Sequence, residues 1–366
     1  MKKIISISLL SLSLCTAGSA APFMAIGDGA ELFLTGTLGV RVDDNIFLTG
    51  NADDDIIIDV NPGLDLTFGK DAQVQGSLTL VYAFATYADT SDLNTNLFSG
   101  NFVTRYDDGK KKLNFNLGFA ELNQNTPDVQ RLTRRDVLSA GANGEVEVSQ
   151  LTSIGAGVAY SREDYKRSGY TDSESITVPI DLFYEVTPKI DLSVGYRFRD
   201  YAVDIGQDST DHYLNVGARG EFTPKLSGRA TVGFNRRSLS VSGDKNGFGL
   251  DANLTYALTP KTNFHLGAGN DYGTSPQGQQ QENLTFSARF VSKIADDWSV
   301  NGGMSFRQID YATRKDDFWE YSLGTTYIVN ANIQIVGAYV HRSYDSPLAG
   351  ADFKNNVFSI SANFRY

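Results

Sequence analysis

Apolar and polar residues alternate along many segments of this chain. Between Ile190 and Arg199, Ile, Leu, Val, Tyr and Phe occupy the even positions, and Asp, Ser, Gly and Arg occupy the odd ones. A period of two places alternate side chains on opposite faces of a β-strand. The same alternation over residues 253–258 and 358–366 predicts an all-β chain whose strands have one apolar and one polar face.

The breaks between these strands recur at a regular interval. Thr-Pro-Lys occurs at residues 187–189, 223–225 and 259–261, a spacing of 36 residues, and the interval continues to residues 295–297 and 331–332. Proline presets φ for a tight turn and cannot donate a ladder hydrogen bond, so these positions predict hairpin ends. Each 36-residue unit then holds two strands, a tight turn and a longer polar connection.

The same interval predicts the number of strands. Further tight turns are expected near residues 69–71, 107–110 and 149–151. With a first strand near Glu31–Val42 and a last strand over Lys354–Tyr366, the pattern predicts about 18 strands with both termini on the tight-turn side. Segments 89–100 and 123–135 are irregular, which leaves about 16 strands as the alternative.

The strand length distinguishes two all-β architectures. A propeller blade holds four strands in about 40 to 45 residues, whereas each unit here holds two strands of about 12. Strands this long suit a tilted crossing of a bilayer, and closure into a barrel pairs every edge. Aromatic residues near strand ends are typical of the girdles of outer-membrane barrels. Examples are Trp298, Phe318, Trp319 and Tyr321.

The N-terminal residues have the composition of an export signal. Two lysines follow the first residue, residues 4–14 are mainly apolar, and small residues at 18–20 predict cleavage after Ala20. The only cysteine, Cys15, lies inside this segment, and its bulky neighbour Leu14 disfavours the alternative of a lipoprotein acceptor. We therefore predict a signal peptide over residues 1–20 and, over residues 21–366, a single transmembrane antiparallel up-and-down β-barrel with periplasmic termini.

The charge balance narrows the choice of partners. The chain has 32 Lys and Arg against 43 Asp and Glu, a net charge of −11, which becomes −13 when the two lysines of the signal peptide are removed. A negative chain is a poor partner for nucleic acid, because phosphate binding needs a positive field. The expected partners are outer-membrane lipid and the barrel-assembly machinery.

The C-terminal strand supports this assignment. Residues 358–366 alternate and end on an aromatic residue. The segment resembles the C-terminal recognition strand of bacterial outer-membrane proteins, which implies that Phe364 and Tyr366 form the assembly signal.

Two further segments resemble a known family. Arg-Val-Asp-Asp-Asn-Ile-Phe-Leu at residues 41–48 and Asp-Val-Asn-Pro-Gly-Leu-Asp-Leu at residues 59–66 resemble the opening of the putative β-barrel porin 2 family. That family includes outer-membrane proteins encoded with exopolysaccharide biosynthesis loci. The resemblance implies an outer-membrane barrel and a conduit for a solute or an extracellular polysaccharide, and it brings no catalytic residues.

Arginines recur at positions predicted to face the lumen. Because the apolar face must contact lipid, the alternate residues face inward, and five arginines from three consecutive strands would form a basic wall. The guanidinium fork binds carboxylate and phosphate, so these side chains are candidates for guiding anions or acidic polysaccharide. The alternative is that they pair with lumenal Asp and Glu and hold the wall together. The nine candidates are Arg105, Arg197, Arg199, Arg219, Arg229, Arg237, Arg289, Arg307 and Arg365.

The sequence has few candidates for metal-binding or catalytic residues. The acidic pairs and runs at residues 43–44 and 53–55 lack the glycine-centred spacing of a calcium loop, and a solvated surface loop is the favoured interpretation. The three histidines are scattered, and no serine lies in a nucleophile elbow. The sequence predicts no enzyme, no metal site and no cofactor.

Two functions remain. The first is an outer-membrane porin-like channel for passive passage of solutes, either small anions or a secreted exopolysaccharide, through an arginine-lined lumen. The second is a non-conducting structural or adhesion barrel. A lumen filled by paired side chains or by an inserted loop would favour the second.

Overall fold

A computed structural model describes residues 20–27, 29–125 and 132–366 of the chain. Eighteen antiparallel strands, β2 to β19, each pair with the next, and β19 pairs with β2 to close a barrel. The predicted count of 18 strands is confirmed over the alternative of 16. The predicted signal peptide lies outside the described residues except for Ala20.

The barrel strands are long, and a short strand precedes them. The strands are β1 (Met24–Ile26), β2 (Ala30–Asp43), β3 (Asp55–Phe68), β4 (Val74–Tyr87), β5 (Thr95–Asp107), β6 (Lys111–Gln124), β7 (Thr133–Ser149), β8 (Thr152–Tyr165), β9 (Ser173–Thr187), β10 (Ile190–Val203), β11 (Ser209–Thr223), β12 (Leu226–Leu239), β13 (Gly243–Thr259), β14 (Thr262–Thr274), β15 (Gln280–Lys293), β16 (Trp298–Tyr311), β17 (Arg314–Asn330), β18 (Ile333–Asp345) and β19 (Phe353–Arg365). One 3₁₀ turn, Ser91–Leu93, lies between β4 and β5.

One edge of β2 pairs with two segments placed end to end. β19 pairs with Thr35–Asp43, and the backbone N–H of Leu34 donates to the carbonyl of Tyr366 at 2.6 Å. Beyond that point β1 pairs with Ala30–Leu32. The N-terminal segment therefore completes the barrel edge where the C-terminal strand ends.

The Thr-Pro-Lys repeats form the tight turns that the sequence predicts. In each, the threonine hydroxyl accepts a hydrogen bond from the lysine N–H two residues later, at 3.2 to 3.3 Å. This side-chain turn shapes the chain where proline has no N–H to donate. β2 begins and β19 ends on this side of the barrel, which we call the turn end; the opposite side is the loop end.

The outer surface is apolar. Leucine, isoleucine, valine and aromatic side chains at alternate positions are exposed along the strands, Trp298 and Tyr321 among them. Phe318 was expected in the aromatic girdle, but it faces inward and packs on a buried cluster at the loop end. No helix among the described residues is long and apolar enough to span a membrane.

The inward faces differ between the two ends. Toward the loop end the inward side chains are largely buried, as at Ile57, Asp211 and Asp316. Toward the turn end many are exposed, as at Asn114 and Asn143. The barrel is therefore narrowest near the loop end.

Candidate channel lumen

The connection between β2 and β3, residues 44–54, folds into the mouth of the barrel and is called the entrance loop. Its Ile46 packs with Ile57 and Tyr87 on one side. Its Leu48 packs with Ile309, Tyr311, Tyr344, Ala351 and Phe353 on the other. The loop therefore contacts the walls formed by β3–β4 and by β16–β19.

Polar side chains hold the entrance loop in place. Asp43 accepts the N–H of Asn45 at 3.0 Å, and Asn45 donates to the carbonyls of Thr49 and Lys354 at 2.8 and 2.9 Å. Asp55, which is 1% exposed, accepts hydrogen bonds from residues 88–90 of the neighbouring loop. These acidic residues were expected in a solvated loop. Asp43 and Asp55 are instead buried, because they cap backbone N–H groups of chain that turns inward.

Four strands contribute to a buried ion-pair network near the loop end. Asp211 on β11 pairs with Arg199 on β10 and with Arg237 on β12, the latter at 2.6 Å. Asp271 on β14 accepts from Arg197 and Arg199 at 3.0 and 3.3 Å. Asp211 and Arg237 are 0% and 1% exposed. Because the charges are buried, each depends on its partner.

Asn235 and two aromatic rings complete this network. Asn235 on β12 donates to Asp271 at 2.7 Å. The guanidinium of Arg197 lies 4.9 Å from the centre of the Tyr213 ring, and that of Arg237 lies 5.4 Å from the Tyr272 ring. The rings and the amide surround the ion pairs, so little of the network is open to solvent.

A second group of ion pairs lies nearer the turn end. Arg219 bonds Glu145 on β7 at 2.6 Å and Asp191 on β10 at 2.8 Å. Arg229 bonds Asp181 on β9 at 3.0 Å. The five arginines predicted to form a basic wall are therefore each paired with carboxylates, and the wall alternates in charge.

These pairs require a sharply curved wall. β10 and β14 are four strands apart, which is about 19 Å along the sheet at about 4.8 Å per strand, yet Arg197 and Asp271 are 3.0 Å apart. Inward-facing glycines make room for this approach. A Cβ at Gly249 would overlap the Tyr213 ring, and a Cβ at Gly195 would overlap Asp181. We call the inward faces of β9–β14 the filled lobe.

Loops cover the filled lobe at the loop end. The N–H of Thr171, between β8 and β9, donates to the carbonyl of Pro276, between β14 and β15, at 2.8 Å. The hydroxyl of Thr171 accepts the N–H of Ile205 at 2.7 Å, and Gln280 donates to the carbonyl of Gln207 at 3.2 Å. Three connections thus meet above β9–β14, and any path for solutes must run along the remaining walls.

The other four predicted arginines lie on separate parts of the wall. Arg365 pairs with Asp65, and Arg307 donates to Asn283 at 2.9 Å. Arg289 lies directly across from His265 in the register. Arg105 is exposed and donates to the side chain of Gln75 at 3.2 Å. Among the described residues, Arg105 makes no ion pair.

Sequence reasoning missed three of the carboxylates that pair with these arginines. Asp211 lies at the same parity as Arg219 on β11, so counting back by two would have placed it inward. Asp191 and Glu145 follow the same rule on β10 and β7. No periodic signal, however, indicates that Glu145 on β7 reaches Arg219 on β11.

Neutral amides occupy the inward faces of β5 to β7. Asn101 on β5, Asn114 and Asn116 on β6, and Asn143 on β7 share one face, which we call the amide face. Three of them are exposed, and Asn116 is half-buried. None of the four side chains makes a hydrogen bond with any described residue. Their donors and acceptors are therefore available to the lumen.

Metal ligands do not cluster in the described part of the chain. No group of three or more His, Cys, Asp or Glu side chains there has the arrangement to hold a metal ion. The lumen thus offers ion pairs, amides and aromatic rings.

Comparisons with known proteins agree with this geometry. The family described as "Putative beta-barrel porin 2" matches residues 32–366. No curated protein sequence matches the chain.

Solved structures share the fold at low identity. OpdQ of Pseudomonas aeruginosa is 13% identical with a TM-score of 0.51, and the match covers 93% of this chain and 100% of that one. OpdK of the same organism, solved with vanillate, is 10% identical with a TM-score of 0.50, covering 93% and 99%. OccK2 (OpdF) is 10% identical with a TM-score of 0.50, covering 92% and 98%. At these identities the likeness describes the fold.

Proposed function

Because this chain belongs to the putative beta-barrel porin 2 family, a family of outer-membrane barrels, we propose that it is a channel for passive passage of polar solutes, with both termini in the periplasm. One observation carries the proposal: a closed 18-strand barrel whose inward face is polar and, over its turn-end half, exposed. Barrels of about 16 to 18 strands leave an aqueous channel.

The entrance loop sets the narrowest part of this path. It lies between two buried clusters at the loop end, while the filled lobe occupies one side of the barrel. A solute would pass beside the entrance loop and then along β4–β8 toward the turn end. Passage would therefore be limited by size at the loop end.

The charges in the lumen support at most a weak anion preference. Arg197, Arg199 and Arg237 outnumber Asp211 and Asp271 in the network, but every member of the network is paired. Arginine stays charged at any relevant pH, so the network keeps one excess positive charge. The neighbouring Arg219 offsets it, because it bonds two carboxylates, Glu145 and Asp191. The solutes proposed for the channel are small anions or a secreted exopolysaccharide.

Planar-bilayer recordings test the proposal. We expect discrete conductance steps from the purified full chain, and a reversal potential on the anion side in a potassium chloride gradient. Clear cation selectivity would overturn the anion preference. A deletion strain that retains polysaccharide in its periplasm would favour the polymer over small anions.

A non-conducting structural barrel is the second candidate. The inserted entrance loop and the ion-paired filled lobe are the observations that favour it. The absence of any conductance steps, from protein whose gel mobility shows a folded barrel, would support this second function and reject the first.

A further inference from the structure

The amide face differs from the rest of the lumen because its polar groups lack partners. Along the filled lobe, charged side chains bond one another, whereas the side chains of Asn101, Asn114 and Asn143 are exposed and make no hydrogen bond with the described residues. Each amide presents two N–H donors and a carbonyl acceptor. A surface of this kind suits a solute that has many donors and acceptors and no charge.

The positions of these amides form a continuous surface. In the register, Arg105 on β5 lies opposite Asn114 on β6, which lies opposite Asn143 on β7. Asn116 lies opposite Gly141, and Asn101 lies opposite Gly118. Adjacent strands are about 4.8 Å apart, so neighbouring amides are spaced to contact successive hydroxyl groups of one molecule.

Inward glycines make room for these amides. A Cβ at Gly141 would lie 2.7 Å from the Asn116 side-chain oxygen, and a Cβ at Gly157 would lie 3.0 Å from the carbonyl of Ala142. The side chains of Asn116 and Asn143 therefore lie over the backbone of the neighbouring strands, at positions that a larger residue would fill.

The charge around the amide face is small. Arg105 is held by Gln75, and no other candidate arginine lies on β5–β7. At the turn-end border, Lys112 lies opposite both Asp107 and Glu145. Glu145 also bonds Arg219, and Arg105 adds a second positive charge beside Lys112. The charges around the face therefore balance, so a neutral solute is not disfavoured and a strongly anionic one gains little.

We propose that the amide face is a binding surface for neutral polyhydroxylated solutes, of which a short unbranched oligosaccharide is the representative. This inference rests on the proposed channel for its biological use, and it names the solute class at the turn-end half of that channel. Binding would be weak, because exposed hydrogen bonds replace bonds to water, and weak binding suits passage through a pore.

Calorimetric titration of the full chain in detergent micelles tests this without requiring conduction. The probes are maltotriose, which is neutral, and trigalacturonate, which is acidic. We expect maltotriose to bind, and the triple variant Asn101→Ala, Asn114→Ala, Asn143→Ala to bind it at least about tenfold more weakly, because several hydrogen bonds are lost. The matched control changes two inward exposed residues elsewhere, Asn253→Ala and Ser287→Ala, and should leave binding unchanged.

Each other outcome overturns the inference. If maltotriose does not bind, if the triple variant binds it as tightly as the natural chain, or if only trigalacturonate binds, then the amide face is not a surface for neutral solutes. Bilayer recordings separate the two proposals, because maltotriose binding by a silent barrel would reject the channel and retain the binding surface.

Discussion

The filled lobe and the amide face are built from the same alternating strands, yet one is packed and the other is open. In the filled lobe, arginines and aspartates four strands apart meet because glycines such as Gly249 let the wall curve sharply. On the amide face, short neutral side chains such as Asn114 have no partner within reach. An inward polar residue therefore lines a path only when the opposite wall cannot supply its partner.

Removing a carboxylate from the filled lobe has the largest expected effect. Asp211→Asn leaves the buried guanidiniums of Arg199 and Arg237 short of a negative partner. Breaking a buried pair from one side costs about 3 to 5 kcal/mol. Urea titration of the folded barrel, followed by gel mobility and tryptophan fluorescence, should show this loss of stability.

An exposed ion pair provides the control for that variant. Asp244 pairs with Arg236 on the outside of β12–β13, and both side chains are well exposed. Asp244→Asn should change stability by less than about 1 kcal/mol. Equal effects of the two variants would contradict the view that the filled lobe is a packed, desolvated unit.

Loosening the entrance loop should open the route to the amide face. Leu48 is 5% exposed and adopts a positive φ of 50°, a conformation that is uncommon for leucine. Leu48→Ala removes a buried side chain at a cost of about 2 to 5 kcal/mol. That loss weakens the contacts that hold the entrance loop in the mouth of the barrel. We expect larger single-channel conductance in bilayer recordings.

The exposed apolar residue Leu348 serves as the matched control for Leu48. It lies in the connection between β18 and β19 and is 53% exposed. Leu348→Ala should leave conductance unchanged. If Leu48→Ala also leaves it unchanged, the entrance loop does not set the narrowest point.

A methyl group on the curved wall should have an intermediate effect. Gly249→Ala places a Cβ into the Tyr213 ring, and overpacking of this kind costs about 1 to 3 kcal/mol. Gly36→Ala is the control, because a Cβ there meets nothing within 4 Å. If urea titration finds both variants equally stable, the curvature of the filled lobe does not depend on glycine.

The smallest effect is expected on the amide face itself. Asn143→Ala removes an exposed side chain that bonds no described residue, and stability should change by no more than about 0.5 kcal/mol. The same urea titration checks this. A loss comparable to that of Asp211→Asn would mean that Asn143 supports the wall.

Much of the fold could be predicted from the sequence, because strand period and turn chemistry are local. Alternation around Ile190–Arg199 and the proline turns at 36-residue spacing lead directly to long hairpins and to the strand count. Parity also assigns each arginine to a face. These inferences need no knowledge of which strands lie across the barrel from one another.

The lumen could not be predicted to the same extent. Whether Arg219 finds Glu145, four strands away, depends on curvature, which is a property of the whole sheet. The inward course of the entrance loop also depends on distant contacts, since Leu48 packs on Tyr344 and Phe353 from the far end of the chain. The local signal of this curvature is the set of inward glycines on neighbouring strands, such as Gly195 and Gly249.

The edge of β2 has a consequence for how the barrel is made. Every other pair of neighbouring strands is a hairpin that can form as soon as its own residues are present, but Thr37 meets Asn363 across 326 residues of chain. Bringing together strands so far apart in sequence has the largest loop-closure entropy cost, so this pairing should be slow. The pairing of β19 with β2 should therefore form last, and a chain that lacks one terminal strand would remain an open sheet with two unpaired edges. Tyr366, which exchanges backbone hydrogen bonds with Leu34, belongs to this last pairing.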